Sequence, residues 1–427
     1  MGTYLNKILE VTNNKISIRD FYRGKSVFLT GGSGFLGKIY IQKLLDIHGI
    51  EKIYLLIREK KGVTIEQRVQ EIFNNELFLN IKQTRPEDLK KIVPVAGDVA
   101  LPNLGLSDKD ENILREKAFV HISTAYTNSD RKVVDEVIYP PPRSIQEVYD
   151  FIKKGYTKQE LVKFISNKFS DGKPNTYSFT KSIAEKYIEE NYGDIPTAIV
   201  RPSIVISTAH PPLVGWLDNW GGINRIVYDV AQGYARAIAG TGKNIIDMIP
   251  VDYCGNVTIA AAAKCARSKL TIYHSCSSSI NPVTSRVIFE GVREETVKYA
   301  LPYPTLLYAK SDANLKALTF LLQTVPAHIA DYFLKVTGRT PKWVKLNDRV
   351  ILFRDALKFF VCNEWIFIAR NVSNLHEELS PEDQQLFPVS PHDVDWKTYL
   401  HEYSRGMRIK DNNGLHKDTP KYSYENR

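Results

Sequence analysis

The sequence predicts an α/β protein built on a doubly wound parallel sheet, followed by a mostly helical C-terminal region. Three observations carry this. The short apolar run Val27 to Leu29 leads into three glycines spaced by three, Gly31, Gly34 and Gly37. Lys38 to His48 follows, with Ile41, Leu44, Leu45 and Ile47 recurring at helical period. Further apolar runs, Lys52 to Ile57, Ile92 to Ala96, Ala118 to Ile122 and Thr197 to Val200, alternate with helix-like stretches, the order that a parallel sheet with crossover helices requires. From Val297 the character changes: Leu315, Leu318, Leu321, Leu322 and Val325 keep helical period, as do several residues within Val350 to Val361.

At 427 residues the chain has room for one large domain and one smaller one. The composition shift sets the boundary near residue 295. Residues 1–295 are expected to form the larger, Rossmann-like domain with the ligand-binding parts, residues 296–405 a helical domain, and 406–427 a polar, disordered tail. A net charge of +9 suits an anionic ligand or a membrane surface, but no Lys/Arg run is dense enough to indicate nucleic acid. Cys254, Cys265, Cys276 and Cys362 show no metal-ligand spacing, so no metal is expected and a reducing compartment is. Met1 to Asp20 lacks the apolar core of a secretory leader. The most apolar stretch, Ala317 to Val336, is broken by Gln323, Pro326, His328 and Asp331, so no transmembrane segment is expected. These readings place the protein inside the cell, cytosolic or peripherally bound to a membrane.

The elements then follow in order. A glycine turn between strand and helix lets backbone N–H groups approach a pyrophosphate, which the positive end of the helix dipole also attracts. Thr30, Gly31, Ser33, Gly34, Phe35, Leu36 and Gly37 are the residues expected to face the cofactor there. The spacing is similar to the Thr-Gly-x-x-Gly-x-x-Gly turn of short-chain dehydrogenases/reductases. The second strand ends at Arg58, 21 residues past Gly37, where an NAD site places an acid for the ribose 2′-hydroxyl. A cation there meets a 2′-phosphate instead, which predicts NADPH. The third strand runs into Asp98 and Val99, both expected at the cofactor; an Asp there either hydrogen-bonds the adenine amino group or simply caps the following turn. Pro202, at the end of the Thr197 strand, is also expected at the cofactor.

Tyr-x-x-x-Lys places a phenol and an ammonium one helical turn apart on one face. A free phenol has a pKa near 10, and a neighbouring cation lowers it, making the Tyr a usable proton donor and acceptor. Both Tyr149/Lys153 and Tyr177/Lys181 fit the pattern. Tyr177 is preferred because it opens a helix that feeds directly into an apolar strand. Lys181 also reaches towards the nicotinamide ribose. The partner hydroxyl is Thr124, with Ser123 as second choice, at a strand end on the carboxyl edge of the sheet, where ligands bind.

Asp20 to Gly37, Tyr54 to Arg58, Val120 to Tyr126, Asn175 to Lys181 and Val200 to Val205 together resemble the fatty acyl-CoA reductases. Pro140 to Pro142, Gly215 to Asn219, Ile249 to Asp252 and Phe359 to Trp365 are similar to that family's as well. The resemblance spans roughly residues 15 to 405. It implies an extended short-chain reductase fold of Rossmann type. It also implies reduction of a long-chain acyl-CoA to a fatty alcohol with two NADPH, and a helical domain that encloses the acyl chain.

One departure stands out. The family has a further strand and helix between Asp98 and Thr124, whereas here 26 residues separate them, enough for one strand and one helix. About fifty residues are absent near Lys117 to Phe119. If the Ala118 to Ile122 strand slides into the vacated slot, Thr124 moves away from Tyr177. Two other readings therefore stay open: a cofactor-binding but catalytically impaired isoform, and another extended reductase or epimerase.

Overall fold

The computed structural model describes residues 15–60, 62–111, 118–157, 160, 173–265, 269–296 and 305–415. The lead-in before Lys15, most of the polar stretch from 158 to 172, the Lys117 side of the expected junction and the tail beyond Leu415 lie outside the described residues.

The chain forms two compact units: residues 1–205, 249–281 and 365–393 in one, and 206–248, 282–364 and 394–427 in the other. It does not divide once near residue 295, because the segment beginning at Trp365 returns to the first unit. Trp365 meets Tyr126 edge to face and donates its Nε1–H to the Ser129 carbonyl at 3.0 Å. Long-range burial of a large aromatic outweighs the compositional boundary.

In the first unit, β1 (Ser26–Leu29), β2 (Lys52–Ile57) and β3 (Ile92–Ala96) form one parallel ladder in the order β1-β2-β3. A second parallel ladder joins β4 (Phe119–Ile122), β5 (Thr197–Pro202) and β6 (Leu270–Ser275) in the order β6-β5-β4. Leu270 and Phe119 both lie opposite Thr197. No ladder joins β1 to β4 among the described residues. A doubly wound sheet places its next strand beside β1, so the break falls where a chain short of one strand–helix unit must have it. β4 has not slid across; it remains paired with β5.

Burial follows the break. All six residues of β5 are buried, whereas none of β1 is, although its sequence reads as a buried strand. A strand flanked on one side only leaves part of each side chain open. Helix α1 (Phe35–Asp46) follows β1, helix α2 (Thr176–Asn191) precedes β5, and helix α3 (Val251–Lys264) precedes β6. Helix α3 packs on α1 and also on β4, β5 and β6, so it ties the two ladders together.

In the second unit, Ala237–Ala239 pairs in parallel with Leu307–Ala309. Helix α4 (Val325–Val336) packs against helix α5 (Trp343–Cys362). The helix Trp396–Leu415 runs past the expected start of disorder at residue 406, and Met407 on it is buried.

Candidate active site

The glycine turn has the geometry of an anion cradle. Gly31 adopts φ +69°, a conformation that L side chains rarely adopt. A Cβ on Gly37 would lie 2.2 Å from the Gly31 carbonyl oxygen, so only glycine lets α1 start this close to the turn. Gly32, which the spacing of three passed over, is crowded as well, but by the movable end of a side chain: its Cβ would lie 2.1 Å from the Leu55 Cδ1. Gly34 caps α1 with no side chain on the first N–H groups. Thr30, Gly31, Ser33 and Gly34 are exposed, Phe35 and Leu36 partly so. Open N–H donors at a helix N-terminus fit a dinucleotide pyrophosphate.

Arg58 and Asp98 sit at neighbouring strand ends and pair with each other, Nη1 to Oδ2 at 2.9 Å. The Ala100 N–H and Arg58 together hold the Asp98 carboxyl below its ordinary range. Val99 is exposed beside it. Arg68 reaches the same place and donates to the Arg58 carbonyl at 2.5 Å. Ten residues downstream on a helix, it gave no sequence signal.

Thr124, Tyr177 and Lys181 come together at the carboxyl end of β4. The Tyr177 phenol lies close enough to the Thr124 hydroxyl to interact with it electrostatically. Thr124 also caps the turn that follows β4, accepting from the Tyr126 N–H at 3.3 Å, and its hydroxyl lies 3.5 Å from the Pro202 carbonyl. Lys181 donates to the Ile122 carbonyl at 2.7 Å. Tyr177 keeps 53% of its surface open, room for a substrate to approach. Ser123 is buried, and its hydroxyl has no partner among the described residues.

The electrostatics differ from the sequence expectation. Burial raises the Tyr177 pKa above its ordinary value, and the nearby Thr124 hydroxyl opposes this only in part. The Lys181 ammonium is engaged by the Ile122 carbonyl and does not lower the phenol's pKa here. Burial lowers the Lys181 pKa, with Glu185 one turn along α2 pulling it back up. The phenol is therefore protonated at neutrality.

Beneath this cluster lies a buried polar network that sequence spacing did not single out. Arg201 on β5 is 0% exposed and bonds Glu185 twice, Nε to Oε1 at 2.9 Å and Nη2 to Oε2 at 2.7 Å. Its other N–H groups reach the Val137 and Asp135 carbonyls and His274 Nε2. The His274 Nδ1–H donates to the Ile368 carbonyl at 2.7 Å, which leaves Nε2 as acceptor for Arg201. Burial first, then Arg201, push the His274 pKa down to about 3, so the ring stays neutral. Glu185 also accepts from Thr127 at 3.3 Å. The network fixes α2 against β5 and so sets where Tyr177 and Lys181 stand. The alternative pair lies elsewhere: Tyr149 is exposed on helix Ile145–Lys153 and lines an open cleft with Lys186, Tyr187 and Glu190.

Comparison with known proteins bears on the family and the fold. The profile of the NAD-binding portion of the male sterility protein family matches residues 29–118 and 111–258, in two pieces that meet between β3 and β4. A second male sterility profile matches residues 322–409. The chain is 31% identical to fatty acyl-CoA reductase 2 of Mus musculus, over 92% of this chain and 85% of that protein. Since 92% of 427 residues is about 393, about 48 of the 441 aligned positions have no residue here. It is 30% identical to fatty acyl-CoA reductase wat of Drosophila melanogaster, over 91% and 84%. Among solved structures, the terminal R domain of the myxalamid PKS-NRPS pathway superposes with a TM-score of 0.59 at 16% identity, covering 91% of each chain. The reductase domain of a nonribosomal peptide synthetase from Mycobacterium tuberculosis gives 0.55 at 14%, covering 94% of this chain and 95% of that one. Those two show the fold, that of extended reductase domains. With a family profile over more than half its length and such relatives along nearly all of it, the chain belongs to the fatty acyl-CoA reductases, oxidoreductases that use a nicotinamide cofactor.

Proposed function

We propose that the chain reduces a long-chain fatty acyl-CoA to a fatty alcohol and free CoA, drawing on two NADPH. The observation that carries this reading is the convergence of Thr124, Tyr177 and Lys181 at the carboxyl end of β4, where Lys181 donates to the Ile122 carbonyl. When bound, the cofactor supplies a hydride to the carbonyl carbon of the thioester and, in the second round, of the aldehyde. Thr124 orients the carbonyl oxygen. Tyr177 gives that oxygen its phenolic proton as negative charge develops there. The first round leaves a hemithioacetal; its C–S bond breaks, the sulfur departs with a proton as CoA thiol, and an aldehyde remains. In the second round Tyr177 protonates the aldehyde oxygen to a hydroxyl. A phenol that is protonated at neutrality suits this direction, which consumes a proton at each reduction.

Thr30 to Gly37 would hold the pyrophosphate. Asp98, Val99 and Pro202 would flank the cofactor, and Lys181 would hold its ribose. Arg58, with Arg68 beside it, would take the 2′-phosphate by exchanging the Asp98 carboxylate for it. The +9 charge accommodates the CoA phosphates. We place the reaction inside the cell, in the cytosol or on a peroxisomal or endoplasmic reticulum membrane.

The test is incubation of the purified chain with palmitoyl-CoA and NADPH, followed by chromatography of the lipid products. Hexadecanol is the expected product. Tyr177→Phe should abolish it while leaving cofactor affinity intact. NADPH binding without any alcohol would instead favour the impaired isoform, a reading motivated by the break between β1 and β4. Turnover unchanged in Tyr177→Phe would overturn the proton-donor role.

A further inference from the structure

The helical unit carries one face that reverses the usual arrangement. On α4, Ile329, Tyr332, Phe333 and Val336 stand at i, i+3, i+4 and i+7, hence on one side of the helix. All four are exposed, with Tyr332 at 64%, Phe333 at 62% and Val336 at 67%. The buried residues of α4 are Ala327 and Asp331, on the opposite side. Phe320 and Leu321, in the turn just before α4, and Leu352 on α5 are exposed too. Several bulky apolar side chains left open this close together mark an interaction surface.

The reversal is fixed by Asp331. Its Oδ1 accepts from the N–H groups of Lys342 at 2.8 Å and Trp343 at 2.9 Å, and its Oδ2 from Val344 at 2.9 Å. One buried carboxylate thus caps the start of α5 and holds α4 with its apolar side outward.

The charge around this face is one-sided. Lys335, Arg339, Lys342, Lys345 and Arg349 are all exposed around the α4–α5 turn, while Asp348 is the only acid between Tyr332 and Arg349. An apolar stripe rimmed by Lys and Arg, with aromatic residues among it, is the composition of helices that lie in the interface of a bilayer. No helix among the described residues is long and apolar enough to cross a membrane, so the hairpin would lie on the surface. A second copy is a poorer fit, because it would set five exposed cations against five more. An acyl chain calls for an enclosed slot, and these side chains are open.

We propose that the α4–α5 hairpin docks this protein on an anionic phospholipid surface. Phe333, Tyr332, Ile329 and Val336 enter the headgroup–acyl boundary, and the basic residues from Lys335 to Arg349 meet the lipid phosphates. The proposal does not rest on the reaction assigned above, because its readout is binding.

The experiment is flotation of the full chain with vesicles of phosphatidylcholine alone and of phosphatidylcholine mixed with phosphatidylserine. The protein should float with the mixed vesicles, weakly with phosphatidylcholine alone, and less as salt is raised. Tyr332→Ser/Phe333→Ser should reduce flotation at least about tenfold. Arg339→Glu/Lys342→Glu should lose roughly fivefold for each cation removed, on the anionic vesicles only. These residues are exposed, and unchanged circular dichroism would establish that each variant is folded; should the first fail to fold, the charge reversal alone decides. Any of four results would overturn the proposal: no flotation of the wild-type chain with the mixed vesicles; equal flotation of the folded variants; a wild-type dimer in sedimentation velocity that Tyr332→Ser/Phe333→Ser converts to monomer; or release from vesicles by stoichiometric palmitoyl-CoA.

Discussion

β5 and β1 are strands of the same fold, yet one is wholly buried and the other has no buried residue. Their sequences do not explain this. Ser26-Val-Phe-Leu is as apolar in its last three residues as Thr197-Ala-Ile-Val. The difference lies in neighbours: β5 has β4 and β6 on its two sides, β1 has only β2. The β5 side also carries the internal ion pair, the neutral His274 and the Thr124–Tyr177–Lys181 cluster. The β1 side carries the glycine turn and the Arg58–Asp98 pair, both open to solvent. Loss of one strand–helix unit therefore falls on the cofactor side and spares the groups proposed for proton transfer. Packing around a strand, more than its own hydrophobicity, decides how much it contributes.

The contrast can be broken or sharpened by measurement. The largest effect should come from Glu185→Ala, which leaves the Arg201 guanidinium buried and unpaired; the unfolding free energy in urea should fall by about 3–5 kcal/mol. Next, Val200→Ala on β5 should cost about 2 kcal/mol and Val27→Ala on β1 less than about 1 kcal/mol. Equal losses would show that β1 is as well covered as β5. Arg58→Ala should weaken NADPH roughly tenfold or more with little change for NADH, read by fluorescence titration; an equal loss for both would remove Arg58 from cofactor choice. The smallest effect concerns Glu136, whose carboxyl accepts from the N–H groups of His274 and Asn371. Burial first raises its pKa from 4.5 to about 7, against those two bonds. The folded chain thus holds this proton more tightly than the unfolded one. Its contribution favours folding at low pH and is lost as pH rises from about 4.5 through about 7. Stability measured across that window should decline less steeply in Glu136→Gln than in the parent.

Local features were legible in the sequence. Gly31, Gly34 and Gly37, the Tyr177/Lys181 spacing and the strand ends at Arg58, Asp98 and Thr124 each depend on residues within one strand–turn–helix. The interval from Asp98 to Thr124 also foretold the break between β1 and β4. What the sequence concealed depends on distant partners. β6 escaped notice because its apolar run is short and closes on His274, whose burial is secured by Arg201 and by the Ile368 carbonyl, returned to the first unit by a distant segment. Trp365 reads as part of a separate helical domain until Tyr126 is seen to receive it. The period read from Leu315 to Val325 belongs to the helical stretch leading into α4, and the outward side of α4 itself was not read. Hydrophobicity alone assigns Leu321 and Phe333 to a core, and only the anchoring of Asp331 at the start of α5 shows otherwise.

That anchoring has a consequence for how the hairpin would meet a partner. Three backbone N–H groups lose their acceptor if α4 rotates about its axis, so the outward stripe exists before any contact is made. An unstructured segment must surrender chain entropy as it coils on a surface. A wedge assembled in advance owes no such penalty, and its arrival should leave the far-ultraviolet circular dichroism spectrum unchanged.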